Sequence, residues 1–351
     1  MASYKDRLRG DLDSWIGQGL VPESSRAAIL DSVAESRRPD AVSALGMVGV
    51  LLAGAAIIAF VAANWDGIPR YARFAILVGA FLAACAGGAW ADLRQRPLLA
   101  NGLITLAAAL FAAAIGLTGQ IFDIAGDPKT ALLSAGLGAA LLALAGRSSG
   151  AAVAALALIG ASDFAPPYSW WLLPAALAGA GLAWLWRSRP VAHASAIGLA
   201  AGIGMALWHL TGKHDLLGGP AFAASALLAL GGLAARTAAE RGREEGRVFY
   251  GWLTWAALAY FVAAAADWHG VTAAVVLHRV AWLLLSGAVL TLGRIDRHGG
   301  VMAAGVVSLV AAVMTLMADL GLDLMTASLI FAVAAILVLA TVWLMRGRRP
   351  R

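Results

Sequence analysis

Residues 271–294 read VTAAVVLHRVAWLLLSGAVLTLGR, a run in which Arg279 is the only charged residue before Arg294 closes it. An apolar run of this length matches the roughly 20 helical residues that cross a bilayer core about 30 Å thick. Thr272, Arg279, Ser286 and Gly293 recur every seven residues, so a helix gathers all four on one face. A guanidinium near the centre of a spanning helix costs about 2.5–3.5 kcal/mol on insertion scales. Such a face is therefore expected to look into a bundle, where a carboxylate or a water-filled cavity relieves the charge. Helical side chains lean toward the amino terminus, which aims Arg279 at the end of the span that carries Asp267. Asp267 itself sits too far back along the helix, and Asp319, Asp323 or Asp123 from other helices are the better partners.

The rest of the chain repeats the pattern. Of its 351 residues, 61% are hydrophobic and 13% charged, against roughly 25% charged in a soluble domain. Apolar stretches recur from Val42 to Leu344 and divide into about twelve candidate spans: 42–63, 71–90, 98–119, 130–146, 150–164, 170–186, 191–210, 220–235, 248–266, 271–292, 301–318 and 324–344. The fifth is short, ends at Asp163 and runs into Pro166-Pro167, which predicts a half-crossing or an oblique helix. The fold class is an all-α polytopic membrane bundle over residues 41–346, followed by a basic tail, 347–351. Residues 1–40 are polar. Tyr4, Leu8, Leu12, Trp15 and Ile16 fall at helical spacing, Gly17 to Pro22 breaks the pattern, and Ile29, Leu30 and Val33 resume it, which predicts a short cytoplasmic helical hairpin.

Basic residues orient the bundle. Of the 26 lysines and arginines, 21 fall in segments that alternate to one side, and four (Arg70, Arg73, Lys129 and Lys213) to the other, with Arg279 inside a span. By the positive-inside rule this predicts an even number of crossings with both termini cytoplasmic. The five glutamates share the inner side, whereas Asp66, Asp123, Asp127, Asp163, Asp215, Asp267, Asp319 and Asp323 collect outside and make that mouth electronegative.

Small residues supply the packing chemistry. Gly46, Gly49, Ala53 and Ala56 in the first span, and Gly198 and Gly202 in the seventh, allow helices to approach closely where hydrophobic drive between them is absent. The third span carries Asn101, Thr105, Gly116 and Gln120 on one face and ends in Asp123. Intramembrane amides serve as interhelical glue or line a polar path. The first outer loop, AANWDGIPR, brings Asn64, Trp65 and Asp66 to a tight turn, either as a structural corner or as a ligand lip.

Other chemistries lack their residues. The single cysteine, Cys85, excludes an internal disulfide framework. The six histidines are dispersed and form no HxxxH or HExxH pair, so no metal site or cofactor is expected. The net charge of +6 comes from helix ends rather than from one basic domain, which sets nucleic acid aside as a partner. Without a Walker loop, a GxSxG elbow or paired intramembrane aspartates, no enzyme activity is expected.

Three segments carry a resemblance: LDSWIGQGLVPESSRAAIL (12–30), AANWDGIPR (62–70) and GLTGQIFDIAGD (116–127). Together, over roughly the first 150 residues, the chain resembles the bacterial predicted-membrane-protein family known as domain of unknown function 2157. The resemblance implies a polytopic protein of the bacterial inner membrane with a cytoplasmic amino-terminal segment. It implies no reaction, and it draws attention to Asn64, Trp65, Asp66, Gln120 and Asp123. Two roles follow from the sequence. The first is transport or sensing of a small solute or ion at a polar site built by Arg279, Asn101, Gln120, Asp123, Asn64, Trp65 and Asp66. The second is a lipid-embedded scaffold that recruits a protein partner through residues 1–40.

Overall fold

The computed structural model describes residues 4–32, 52, 67–123, 125–211, 218–268, 272–321, 325, 328 and 332. The chain divides into two compact units, residues 1–69 and 70–351. In the first, helix α1 (Tyr4–Gly17) is followed by a single 3-10 turn, Glu23–Ser25, and by α2 (Arg26–Ser32). Gly19 takes the left-handed conformation (φ 73°) and Leu20 N donates back to Trp15 O, a Schellman ending that stops α1 within the predicted break. Arg26 pairs with Asp13 between the two helices.

Ten helices make up the described part of the second unit: α3 (Arg70–Leu93), α4 (Pro97–Ile121), α5 (Pro128–Gly146), α6 (Ser149–Asp163), α7 (Leu172–Trp186), α8 (Arg189–Leu210), α9 (Gly219–Glu240), α10 (Glu244–Ala263), α11 (Ala273–Ile295) and α12 (Gly299–Asp319). They coincide with the second to eleventh predicted spans. The first and last spans, 42–63 and 324–344, lie outside the described residues except for positions 52, 325, 328 and 332. Among the described residues there is no strand, and seven helices (α3, α4, α5, α8, α9, α11 and α12) are long and apolar enough to cross a membrane. The fifth predicted span is α6, which with α7 has only 15 residues. At 1.5 Å per residue each is roughly 22 Å long, short of a core of about 30 Å.

Consecutive helices pair into five hairpins, α3–α4, α5–α6, α7–α8, α9–α10 and α11–α12, and all five close with the same turn. One residue goes left-handed (Gln95, Arg147, Arg187, Gly242, Arg297; φ 45–79°). The next amide then donates five residues back: Arg96 to Ala91, Ser148 to Ala143, Ser188 to Ala183, Arg243 to Ala238 and His298 to Gly293, at 2.8–3.2 Å. That same residue is the N-cap of the following helix, and in Ser148, Ser188 and His298 its side chain accepts from the first turn. Arginine in the left-handed region costs about 1–2 kcal/mol. A cation beside the carbonyl end of a helix offsets part of that cost. Polar contacts between neighbouring turns, Asn101 with Ser148, Arg189 with Glu244 and Arg236 with Asp296, gather the turns at one basic end of the unit.

The hairpins pack through small residues. Ala139, Ala143, Ala151, Ala155, Ala183, Ala192 and Ala196 form the buried core with Phe249, Tyr250 and Leu253. Gly198 and Gly202 face α7, where a Cβ on Gly202 would lie 2.8 Å from Leu173 Cα, so this pair packs helices as its spacing predicts. Leucines point outward: Leu277 and Leu284 on α11 are 71% and 70% exposed. A soluble protein does not present such a surface to water, but lipid tails cover it without penalty.

Candidate functional site

Arg279 is the centre of the polar chemistry at the end opposite the tight turns. The face predicted from the seven-residue spacing forms: Arg279, Ser286 and Gly293 are buried, and Thr272 caps α11 by accepting from Val275 N. From α11, Arg279 Nε donates to Asp319 Oδ2 at 2.8 Å. Asp319 is the last residue of α12, and its side chain is 17% exposed against 6% for Arg279. It is one of the three carboxylates that the sequence nominates. Sequence spacing alone does not separate it from the other two, because the choice depends on which helix closes the hairpin.

His278 completes the arrangement and has no sequence signal of its own. Its Nδ1 faces Arg279 Nη1 at 3.0 Å, and its Nε2 lies 3.0 Å from Phe261 O on α10. A guanidinium can only donate. Nδ1 is therefore the acceptor, and Nε2 carries the proton that it gives to the carbonyl. Phe261 stacks on the ring at 4.6 Å with planes 10° apart, while Phe222, Trp268 and Trp282 surround it at 5.8–6.3 Å. Farther along the same face Trp282 Nε1 and Ser286 Oγ both donate to Ser308 Oγ at 2.8 Å. Aromatic rings thus wall in His278 on one side of the guanidinium, and the Asp319 carboxylate meets the guanidinium through Nε.

The remaining sequence candidates occupy separate places. Asn101 belongs to the basic end, where its Oδ1 accepts from Ser148 Oγ (3.0 Å), Ser149 Oγ (3.2 Å) and Gly150 N (3.2 Å). It caps α6 across the bundle, which is the glue role. Gln120 is exposed near the end of α4. Asp123 is left-handed at φ 53° and pairs with Arg70 at 3.1 Å, both largely exposed. Asn64, Trp65 and Asp66 lie outside the described residues. α4 packs on α3, α5 and α6, whereas α11 packs chiefly on α12. The third and tenth spans accordingly contribute to different clusters.

Two further clusters escaped the sequence. Asp163, fully buried, accepts from Ser169 Oγ and Leu172 N at 2.6 Å each and so starts α7. At the basic end Asp296 takes both Arg236 Nε (2.6 Å) and Nη2 (2.8 Å), together with Tyr250 Oη (2.9 Å). The bidentate guanidinium holds the Asp296 carboxyl below the usual carboxylate range. Among the described residues no group of three or more histidine, cysteine or acidic side chains is disposed to hold a metal ion.

Helical hairpins with lipid-compatible exteriors and one neutralised internal guanidinium define a polytopic α-helical membrane protein. Residues 13–152 match the family described as "Predicted membrane protein (DUF2157)", the family that its motifs resemble. The match takes in Asn64, Trp65, Asp66, Asn101, Gln120 and Asp123, and ends before the hairpin that carries Arg279 and Asp319. Neither a curated protein nor a solved structure matches the chain.

Proposed function

We propose that the protein is a non-enzymatic component of the bacterial cytoplasmic membrane, crossing it about twelve times with both termini in the cytoplasm, and that it moves or senses a small anionic solute at Arg279. The observation that carries this reading is the asymmetry of the ion pair. Arg279 is buried beside the aromatic-walled His278, whereas its partner Asp319 ends a helix, is the more exposed member and lies two residues before Gly321, which is left-handed at φ 73°. A carboxylate at a helix end can withdraw while the guanidinium stays. The vacated position then suits another carboxylate, held by the same charge-assisted geometry.

Thermal unfolding in detergent, with sodium acetate compared to sodium chloride at equal ionic strength, tests the assignment. Acetate is expected to stabilise Asp319→Asn more than the wild type, because the built-in competitor is gone, and to leave Arg279→Gln/Asp319→Asn unaffected. Equal responses in all three proteins reject Arg279 as the anion site.

A second role is favoured by the first unit. Trp15 and Leu20, beside the ending of α1, are 41% and 69% exposed, whereas Leu8 and Leu12 of the same helix are buried. Such apolar side chains suit the recruitment of a protein partner. Deleting residues 1–40 separates the roles: acetate binding by the bundle is expected to survive, and a partner held by this segment is expected to be lost.

A further inference from the structure

The basic end carries a groove of about 680 Å³ between the first turns of α8, α10 and α12, lined by Arg189, His193, Arg247, Trp252, Trp255 and His298 among others. A second hollow of about 440 Å³, with Arg147, Arg187 and Trp186, shares Arg189 with it and extends the cationic rim. Glu244 is the one acidic residue lining either. From Glu244 to Trp255 the groove follows roughly 16 Å of helix at 1.5 Å per residue, charged at its outset and aromatic at its far end. Gly251 and Gly300 also line it, each against the His298 ring, which an added Cβ would meet at 3.1 and 3.3 Å.

Its polar groups are only partly engaged. Arg189 reaches Glu244 at 3.0 Å, but both side chains are more than half exposed, and exposed pairs of this kind are weak. Arg247 gives one N–H to Arg297 O at 2.8 Å and retains the other donors of its fork. His298 holds Arg247 in place, with Nδ1 accepting from Val301 N and Nε2 donating to Arg247 O at 2.9 Å. His193 accepts Trp252 Nε1 on Nδ1 at 2.7 Å. That bond assigns the ring proton to Nε2, a donor in the wall of the groove.

We infer that this groove binds an anionic glycerophospholipid of the leaflet that meets the arginine-rich turns. The phosphate sits between Arg189, Arg247 and His193, and the glycerol and upper acyl chains lie along Val248, Trp252 and Trp255. Charge at one end and apolar surface at the other, over this length and at the depth of the first helical turns, match a lipid that crosses from headgroup to hydrocarbon. A free phosphate ester would leave the aromatic half of the groove unused. The inference is independent of the solute site at Arg279.

Native mass spectrometry of the detergent-purified protein with phosphatidylglycerol and phosphatidylcholine of identical chains tests it. The wild type is expected to retain phosphatidylglycerol preferentially, and Arg189→Gln/Arg247→Gln to lose about fivefold of that preference per arginine removed. Glu244→Gln leaves every arginine in place and is expected to raise the preference, so the test stands even where the double variant unfolds. Arg94→Gln/Arg96→Gln removes the same charge from another turn and is expected to change nothing. Equal retention of both lipids, an equal loss in the Arg94/Arg96 variant, no rise with Glu244→Gln, or displacement by millimolar glycerol phosphate would each overturn the assignment.

Discussion

Arg279 and Asp319 meet across the α11–α12 hairpin, Nε to Oδ2 at 2.8 Å, forty residues apart in sequence and one helix-to-helix contact apart in space. The pair explains how a guanidinium persists in an apolar run. Its charge is matched by the neighbour that the hairpin turn delivers, and its Nη1 meets His278, which Phe261 O holds in the accepting tautomer.

Breaking a buried pair from one side strands the other charge. Asp319→Ala is expected to lower unfolding stability by about 3 kcal/mol, the lower end of the range for such truncations, because Asp319 keeps some access to water. Arg279→Leu combined with Asp319→Leu is expected to fall within about 1 kcal/mol of the wild type. Thermal or denaturant unfolding in one detergent, run as a double-mutant cycle, measures both. Additive losses would show that the two side chains do not interact.

The same hairpin is closed by glycines. A Cβ on Gly293 would run into Met302 N, and one on Gly305 would lie 2.5 Å from Leu290 N, so the backbones of α11 and α12 would have to part. Gly293→Ala and Gly305→Ala are each expected to cost about 1–3 kcal/mol. Gly287, on the same helix with nothing within 4 Å of its added Cβ, is the control, and Gly287→Ala is expected to be neutral or to gain up to about 1 kcal/mol. The ordering of the three midpoints is the measurement.

Element positions were legible because lipid-facing helices announce themselves by length and apolarity: ten predicted spans coincide with α3 to α12. The basic turns were legible for the same reason, as charge cannot stay in the core. The repeated hairpin closure was not. Its left-handed position is filled by Arg or Gln in four of five turns, so the glycine that usually marks a Schellman ending is missing. The usable signal was a cation followed directly by a capping Ser or His, as in Arg147-Ser148, Arg187-Ser188 and Arg297-His298. Partners such as Phe261 O for His278, or Arg70 for Asp123, follow from which helices adjoin, and one-dimensional spacing carries no information on that.

Acid is expected to weaken the basic end through Asp296. The Arg236 guanidinium keeps its folded carboxyl ionised below the range of an unfolded aspartate, about 4. The stabilisation is therefore fully present above that range and is lost as pH falls through the lower folded value. The midpoint of the wild type should stay level from neutral pH to about 5 and drop below about 4. Asp296→Asn should start lower at neutral pH and show a shallower acid limb. A parallel limb in the variant would assign the acid loss to other carboxylates.

Asn101 distinguishes a structural amide from a solute-lining one. Its Oδ1 accepts three hydrogen bonds from the start of α6, including the amide of Gly150. Asn101→Ala removes that acceptor and is expected to cost about 1–2 kcal/mol, the usual loss for a helix cap. Asn101→Asp preserves the oxygen and adds a negative charge at the positive end of the helix, so it is expected to retain most of the stability. A residue that lines a solute path would tolerate alanine and respond to the new charge through binding instead. Unfolding midpoints and acetate shifts of the two variants, measured together, decide between these, and a stable alanine variant beside an unstable aspartate variant would contradict the cap.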